Sequence, residues 1–161
     1  MSHIRTILEN ALNTTIPLFH GSRTRFKIGT LLTPQSEGYV QGSGMDEMER
    51  DVHVKTERVM EKYRPANAVP RHKAVFMVSS PEDIDSAGGY IDFVYRVKPT
   101  GTVSKCNLDW YSELYNYLHD EADEKEVARL ASNYWNAVPS SGALYEYLAV
   151  SAQITELAEV N

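Results

Sequence analysis

The chain has 161 residues, 42% of them apolar and 24% charged, enough for one domain around one core and incompatible with a largely disordered polymer. Its net charge of −6 gives no general attraction for nucleic-acid backbones or anionic membranes, although Arg23, Arg25 and Lys27 form a local basic patch. The single cysteine, Cys106, excludes an internal disulfide and a cysteine-based zinc site, and no apolar run approaches the ~20 residues of a membrane span.

Ile4, Ile7, Leu8, Ala11 and Leu12 recur at helical spacing and predict a short opening helix, closed by Asn13, Thr14 and Thr15. Met1 to Asn10 has no apolar signal core, so a reducing, cytoplasmic setting and no membrane partner are expected. Ile16 to Phe19 predicts a short strand, with Pro17 suited to its start or to an edge, and it runs into His20-Gly21-Ser22-Arg23. Phe26 to Pro34 predicts a tight turn and a short extended piece. Gln35 to Gly44, with three glycines, predicts a loop. Met45 to Tyr63 is charge-rich, with Val52, Val59, Met60 and Tyr63 near helical spacing, and predicts a surface helix ended by Pro65. Asn67 to Arg71 reads as a linker and Lys73 to Val78 as a strand. Ser80 as N-cap with Pro81 at the first position predicts a short helix, stopped by Gly88-Gly89. Tyr90 to Val97 predicts a strand and Pro99-Thr100-Gly101 a turn. Two helices follow, Asp109 to His119 and Asp123 to Asn136, capped by Asp109 and Asp123. Pro139 to Gly142 is a loop, and Tyr145 to Val150 and Gln153 to Leu157 are extended. There is no regular alternation of strand and helix, so a compact α+β domain with a split antiparallel sheet is expected.

Three places could carry chemistry. His20 stands at a strand end before a glycine, where a ligand can approach the backbone. The N–H and C=O of Gly21 suit a flat carboxamide, while Ser22 and Arg23 suit ribose and phosphate. Taken alone, the tetrapeptide reads first as a strand-end histidine in an ordinary turn. Glu146 lies between Tyr145 and Tyr147 in an apolar run, and alternation puts it on the face opposite both tyrosines. It is either an exposed glutamate on an edge strand or a carboxylate able to stabilise an oxocarbenium-like transition state. Phe76 and Tyr90 are either core aromatics or stacking partners for a flat ring. The remaining chemistry-bearing residues have plain readings. His3, His53, His72 and His119 form no ligand constellation, so no metal is expected. Asp120 to Glu126 reads as a solvated helix start, and Cys106 as a semi-buried apolar residue or a catalytic thiol. Trp110, Tyr111, Tyr115 and Tyr117 are core packing or a contact surface for a partner.

Taken together, these segments resemble the ADP-ribosyltransferase superfamily over positions 16 to 158. Phe19-His20-Gly21-Ser22-Arg23 resembles the histidine motif of its diphtheria-toxin-like and poly(ADP-ribose) polymerase branch. Phe26-Lys27-Ile28-Gly29-Thr30-Leu31-Leu32-Thr33-Pro34 is similar to a run in the rifampin ADP-ribosyltransferases. Val94 to Gly101 is similar to a hairpin of small members. Tyr145 to Val150, with Gln153-Ile154, resembles the strand that carries the polymerase glutamate. The resemblance implies an ADP-ribosyltransferase-like split sheet with peripheral helices, NAD as substrate, and His20 and Glu146 as the catalytic pair. It also implies that His20, Gly21, Ser22 and Arg23 bind NAD and that Phe76 or Tyr90 stacks on nicotinamide. The middle tyrosine of the pattern falls at Phe76, which keeps the ring face and lacks the hydroxyl. The position two before Glu146 is Leu144, where arginine-modifying members carry a second glutamate, so an arginine acceptor is not implied. The expected activity is transfer of ADP-ribose to a macromolecule, protein rather than nucleic acid, as in phage or toxin effectors acting on a host protein. A NAD glycohydrolase and a catalytically inactive binding or inhibitory module on the same fold are the alternatives. Tyr39 to Arg71 and Asp109 to Asn136 have no counterpart in the resemblance and are expected to hold target recognition. The acceptor and the oligomeric state are not legible.

Overall fold

The computed structural model describes residues 16–36, 46–120 and 122–158. The helix expected over Ile4 to Leu12 and most of the Gln35 to Gly44 loop lie outside them. In chain order the elements are β1 (Leu18–Ser22), β2 (Leu31–Leu32), α1 (Glu47–Lys62), a 3-10 turn (Arg71–Lys73), β3 (Val75–Met77), a second 3-10 turn (Pro81–Asp83), β4 (Phe93–Thr100), β5 (Ser104–Asn107), α2 (Leu108–Tyr117), α3 (Glu124–Trp135), β6 (Tyr145–Ala149) and β7 (Ser151–Leu157). The class is α+β. All strand pairs are antiparallel, in a four-stranded sheet of order β1-β4-β7-β2 and a three-stranded sheet of order β3-β6-β5. No helix among the described residues is long and apolar enough to cross a membrane.

Period-two alternation sorts the side chains into two cores. Leu18, Val75, Met77, Tyr95, Val97, Tyr147, Ala149 and Ile154 fill the space between the two sheets. On the other face of the smaller sheet, Cys106 and Leu148 meet Met60 of α1, Leu114 of α2, and Val127, Leu130, Ala131 and Tyr134 of α3. The spacing of those α3 residues is the three-and-four repeat of a helix with one buried stripe. The order of layers is therefore helices, small sheet, large sheet. One seam ties the sheets edge to edge: Phe19 and Val78 exchange backbone hydrogen bonds of 2.8 and 2.9 Å, so β1 continues sideways into the end of β3.

Several expectations shift at their ends. β1 starts at Leu18 and runs through His20 and Gly21 to Ser22, because all five residues pair with β4. β4 begins at Phe93, so Tyr90 lies before the strand and not in it. It also runs on through Pro99 to Thr100, past the end of β1, where β7 is its only strand neighbour among the described residues and a missing proline N–H is tolerated. The turn comes at Gly101, whose φ of 72° suits glycine. Ser80 caps nothing through its side chain, and the segment after it makes only a 3-10 turn. α2 is capped by Asn107, whose side chain accepts the Asp109 N–H at 3.0 Å, in place of the expected Asp109. α3 is capped by Asp123 as its sequence suggests. β5 has no counterpart among the expected strands.

Candidate functional site

Glu146 stands on β6, the central strand of the small sheet, and points to the helix side with Leu148. It is 3% exposed, which excludes the edge-strand reading. An ionised carboxylate in such a place requires compensation. It receives this at one oxygen, Oε1. Tyr134 Oη of α3 donates to that atom at 2.5 Å, and Arg71 Nη1 donates to it and to the Tyr134 hydroxyl. The second oxygen, Oε2, accepts no hydrogen bond among the described residues. Oε1 therefore carries all of the hydrogen-bond compensation that the described residues give this carboxylate.

Arg71 is the centre of this cluster. Its Nε donates to both oxygens of Glu57 on α1, at 3.1 and 3.0 Å. Its guanidinium lies 4.6 Å from the ring centroid of Tyr111, 4.9 Å from Phe76 and 5.4 Å from Tyr134, within cation–π range of all three. Its side chain is 13% exposed. Burial opposes the Arg71 cation, but Tyr134, Glu146, Glu57 and Tyr111 around it hold its pKa well above the usual guanidinium value. Tyr111 Oη donates to Glu57 Oε1 at 2.9 Å and has His53 Nδ1 at 3.3 Å. Burial raises the pKa of both Tyr111 and Tyr134, so these phenols are fixed donors. Burial, with the Glu146 charge beside it, also raises the pKa of the Cys106 thiol. A thiol held protonated is a poor nucleophile, so the structure favours the apolar reading of Cys106.

His20 enters from the other sheet. Its Nδ1–H donates to the backbone carbonyl of Phe76 at 2.8 Å, which fixes Nδ1 as the protonated nitrogen. Phe76 pairs with Leu148 of β6, and its ring, 37% exposed, covers Arg71. Thus β3 carries a continuous chain of contacts, from His20 to the Phe76 carbonyl, from the Phe76 ring to Arg71, and from Arg71 to Glu146.

The other expected site residues sort differently. A Cβ on Gly21 would stand 1.9 Å from the Tyr90 carbonyl oxygen and 2.6 Å from Ile84 Cγ2, so only glycine fits beneath that segment. Strand alternation places this contact on the face of β1 opposite the His20 side chain. Ser22 is buried, and its Oγ accepts the Thr24 N–H at 2.9 Å, which shapes the turn after β1. Arg23 is exposed and lies over the Tyr90 ring at 4.7 Å. Tyr90 is therefore joined to Arg23 and Gly21, and Phe76 to Arg71 and only through it to Glu146. Arg71, Glu57 and Tyr134 were not among the sequence candidates. Tyr134 had a usable signal, a phenol on the apolar stripe of α3 that needs a buried partner. Glu57 had a weaker one: His53 and Glu57 flank the buried Val52, Thr56 and Met60 of α1. Arg71, in a linker after a proline, had none.

An open depression lined by Asp109, Trp110, Glu113, Asn116 and Ser140 lies at the start of α2 and contains none of these residues. Among the described residues no group of three or more His, Cys, Asp or Glu side chains is placed to hold a metal ion. No family model matches the chain, and neither does any curated protein.

Proposed function

We propose that the chain is an NAD-dependent ADP-ribosyltransferase, with Glu146 stabilising the cation that forms when nicotinamide leaves. One observation carries the reading: Glu146 is buried and charge-compensated at Oε1, while Oε2 accepts no hydrogen bond among the described residues. A carboxylate oxygen so held serves a ribose hydroxyl or a developing oxocarbenium ion, because the field at that atom is set before the ligand arrives. Support also comes from the contacts through Phe76, which link the His20 strand to the Glu146 strand. In this reading His20 hydrogen-bonds the ribose and the outer face of Phe76 receives the nicotinamide ring. Arg23 faces the diphosphate. Gly21 contributes its backbone, and its face under Tyr90 is closed to ligand. The bond between C1′ and the pyridinium nitrogen breaks, and nicotinamide departs with the electron pair. A nucleophile on the acceptor then bonds to C1′ and gives up its proton. The acceptor is a macromolecule, by preference a protein, and the setting is cytoplasmic.

The test is release of nicotinamide from NAD by the chain, with and without cell extract, together with label transfer from NAD labelled in the adenylate. Label on a macromolecule supports transfer, and free ADP-ribose alone supports a glycohydrolase. A specific observation favours a second reading, the catalytically inactive binding module. The direct contact of Arg71 with Glu146 neutralises much of the charge that the chemistry needs. Calorimetric binding of NAD without nicotinamide release selects that module.

A further inference from the structure

The Arg71 contact raises a question of charge. A guanidinium paired with Glu146 alone makes a neutral couple, and a neutral couple does little for a cation beside it. The cluster holds a second carboxylate, however. Glu57 takes the Nε edge of Arg71 with both oxygens, at 3.1 and 3.0 Å, and leaves only the Nη1 side to Glu146. Two carboxylates and one guanidinium sum to one net negative charge, in a space walled by Phe76, Tyr111 and Tyr134. Tyr111 Oη, donating to Glu57 Oε1 at 2.9 Å, holds Glu57 in that orientation.

We infer that Glu57 is a positioning residue of this site: it orients Arg71 and supplies the charge that lets Glu146 act as a net anion toward the ribose. The inference rests on the ADP-ribosyl transfer reading. Glu57 shares no hydrogen bond with Glu146, and Arg71 joins the two. Its removal therefore affects the transition state, in which the sugar is cationic, more than the bound ground state.

The experiment measures kcat and KM for nicotinamide release from NAD, and the thermal midpoint, for wild type, Glu57→Gln, Glu57→Asp and Tyr111→Phe. Glutamine keeps the size and a carbonyl acceptor while losing the charge. The expected result is a kcat roughly tenfold to a hundredfold lower in Glu57→Gln, the effect of one charge at short range in a partly buried site. KM stays within about twofold of wild type. Glu57→Asp recovers most of the lost kcat. Tyr111→Phe, which leaves the carboxylate in place, lowers kcat in the same direction by less, and keeps the inference testable if Glu57→Gln does not fold. Wild-type kcat in Glu57→Gln, or equal losses in Glu57→Gln and Glu57→Asp that follow their thermal midpoints, overturns the inference and leaves the transfer reading standing. No nicotinamide release by the wild-type chain, with or without extract, overturns the transfer reading and this inference with it.

Discussion

At the scale of single residues, Glu146 has two jobs that substitution separates. Its charge balances Arg71 inside the protein, and its Oε2 is left without a hydrogen-bond partner among the described residues. Glu146→Gln keeps an oxygen for Tyr134 and leaves Arg71 paired with Glu57. It is expected to fold and to lower nicotinamide release by about 10²–10³-fold, the usual effect of losing one electrostatic contact to a transition state. Glu146→Ala also leaves the buried Tyr134 hydroxyl and Arg71 Nη1 without the oxygen they donate to, and is expected to cost about 3–5 kcal/mol in chemical denaturation. Full activity in Glu146→Gln would remove this residue from the mechanism. The neighbouring weak acids set a pH limit. Burial raises the pKa of Cys106, Tyr111 and Tyr134 above their unfolded values. A raised folded pKa means that the folded chain keeps a proton the unfolded chain loses. The contribution is complete below the unfolded pKa and is lost as pH rises from that value to the folded one. Thermal midpoints are therefore expected to fall from about pH 8.5, where an unfolded thiol ionises, and more steeply above about pH 10, where unfolded phenols do. Cys106→Ala is expected to remove the first phase and keep the second. Of these residues, sequence pattern pointed to Glu146 through its apolar neighbours. It could not point to Arg71, because a linker arginine carries no periodicity.

At the scale of elements, β1 and β6 show how local pattern and packing divide the work. Alternation correctly separated Glu146 from Tyr145 and Tyr147. It could not say which face met helices and which met the other sheet, since both faces of β6 are covered. Gly21 on β1 reads from sequence as a ligand-facing glycine, yet its missing side chain also makes room for the Tyr90 carbonyl. Gly21→Ala is expected to destabilise the fold by about 1–3 kcal/mol and to lift the Pro81 to Tyr90 segment. Denaturant midpoints would report the first effect, and loss of the Arg23–Tyr90 contact the second. β5 escaped notice because Ser104-Lys105-Cys106-Asn107 lacks the β-branched and aromatic residues that mark a strand. It forms because it closes the small sheet beside β6 and buries Cys106 against α3. Leu148 is its fully buried neighbour on β6, and Leu148→Ala is expected to cost about 2–5 kcal/mol by opening a cavity between sheet and helices.

At the scale of the whole molecule, the seam between Phe19 and Val78 governs the relation of the two sheets. The His20 contact with the Phe76 carbonyl reinforces it two residues away. His20→Ala is expected to speed amide exchange at Phe19 and Val78 relative to the β4–β7 ladder, even before any effect on NAD binding is measured. Equal protection in the variant would show that the imidazole does not hold the seam. The amino-acid sequence by itself determined the α+β class, the extents of α1 and α3, the Asp123 cap and the burial alternation of β6. These follow from side-chain periodicity and from hydrogen bonds between near neighbours in the chain. Only the tertiary structure decided that Glu146 lies on a central strand, that Phe76 rather than Tyr90 covers Arg71, and that Arg71 bridges two carboxylates. The two ion pairs of Arg71 join residues 14 and 75 positions apart, and a hydrogen bond or ion pair across such a separation leaves no periodic trace in the chain that makes it.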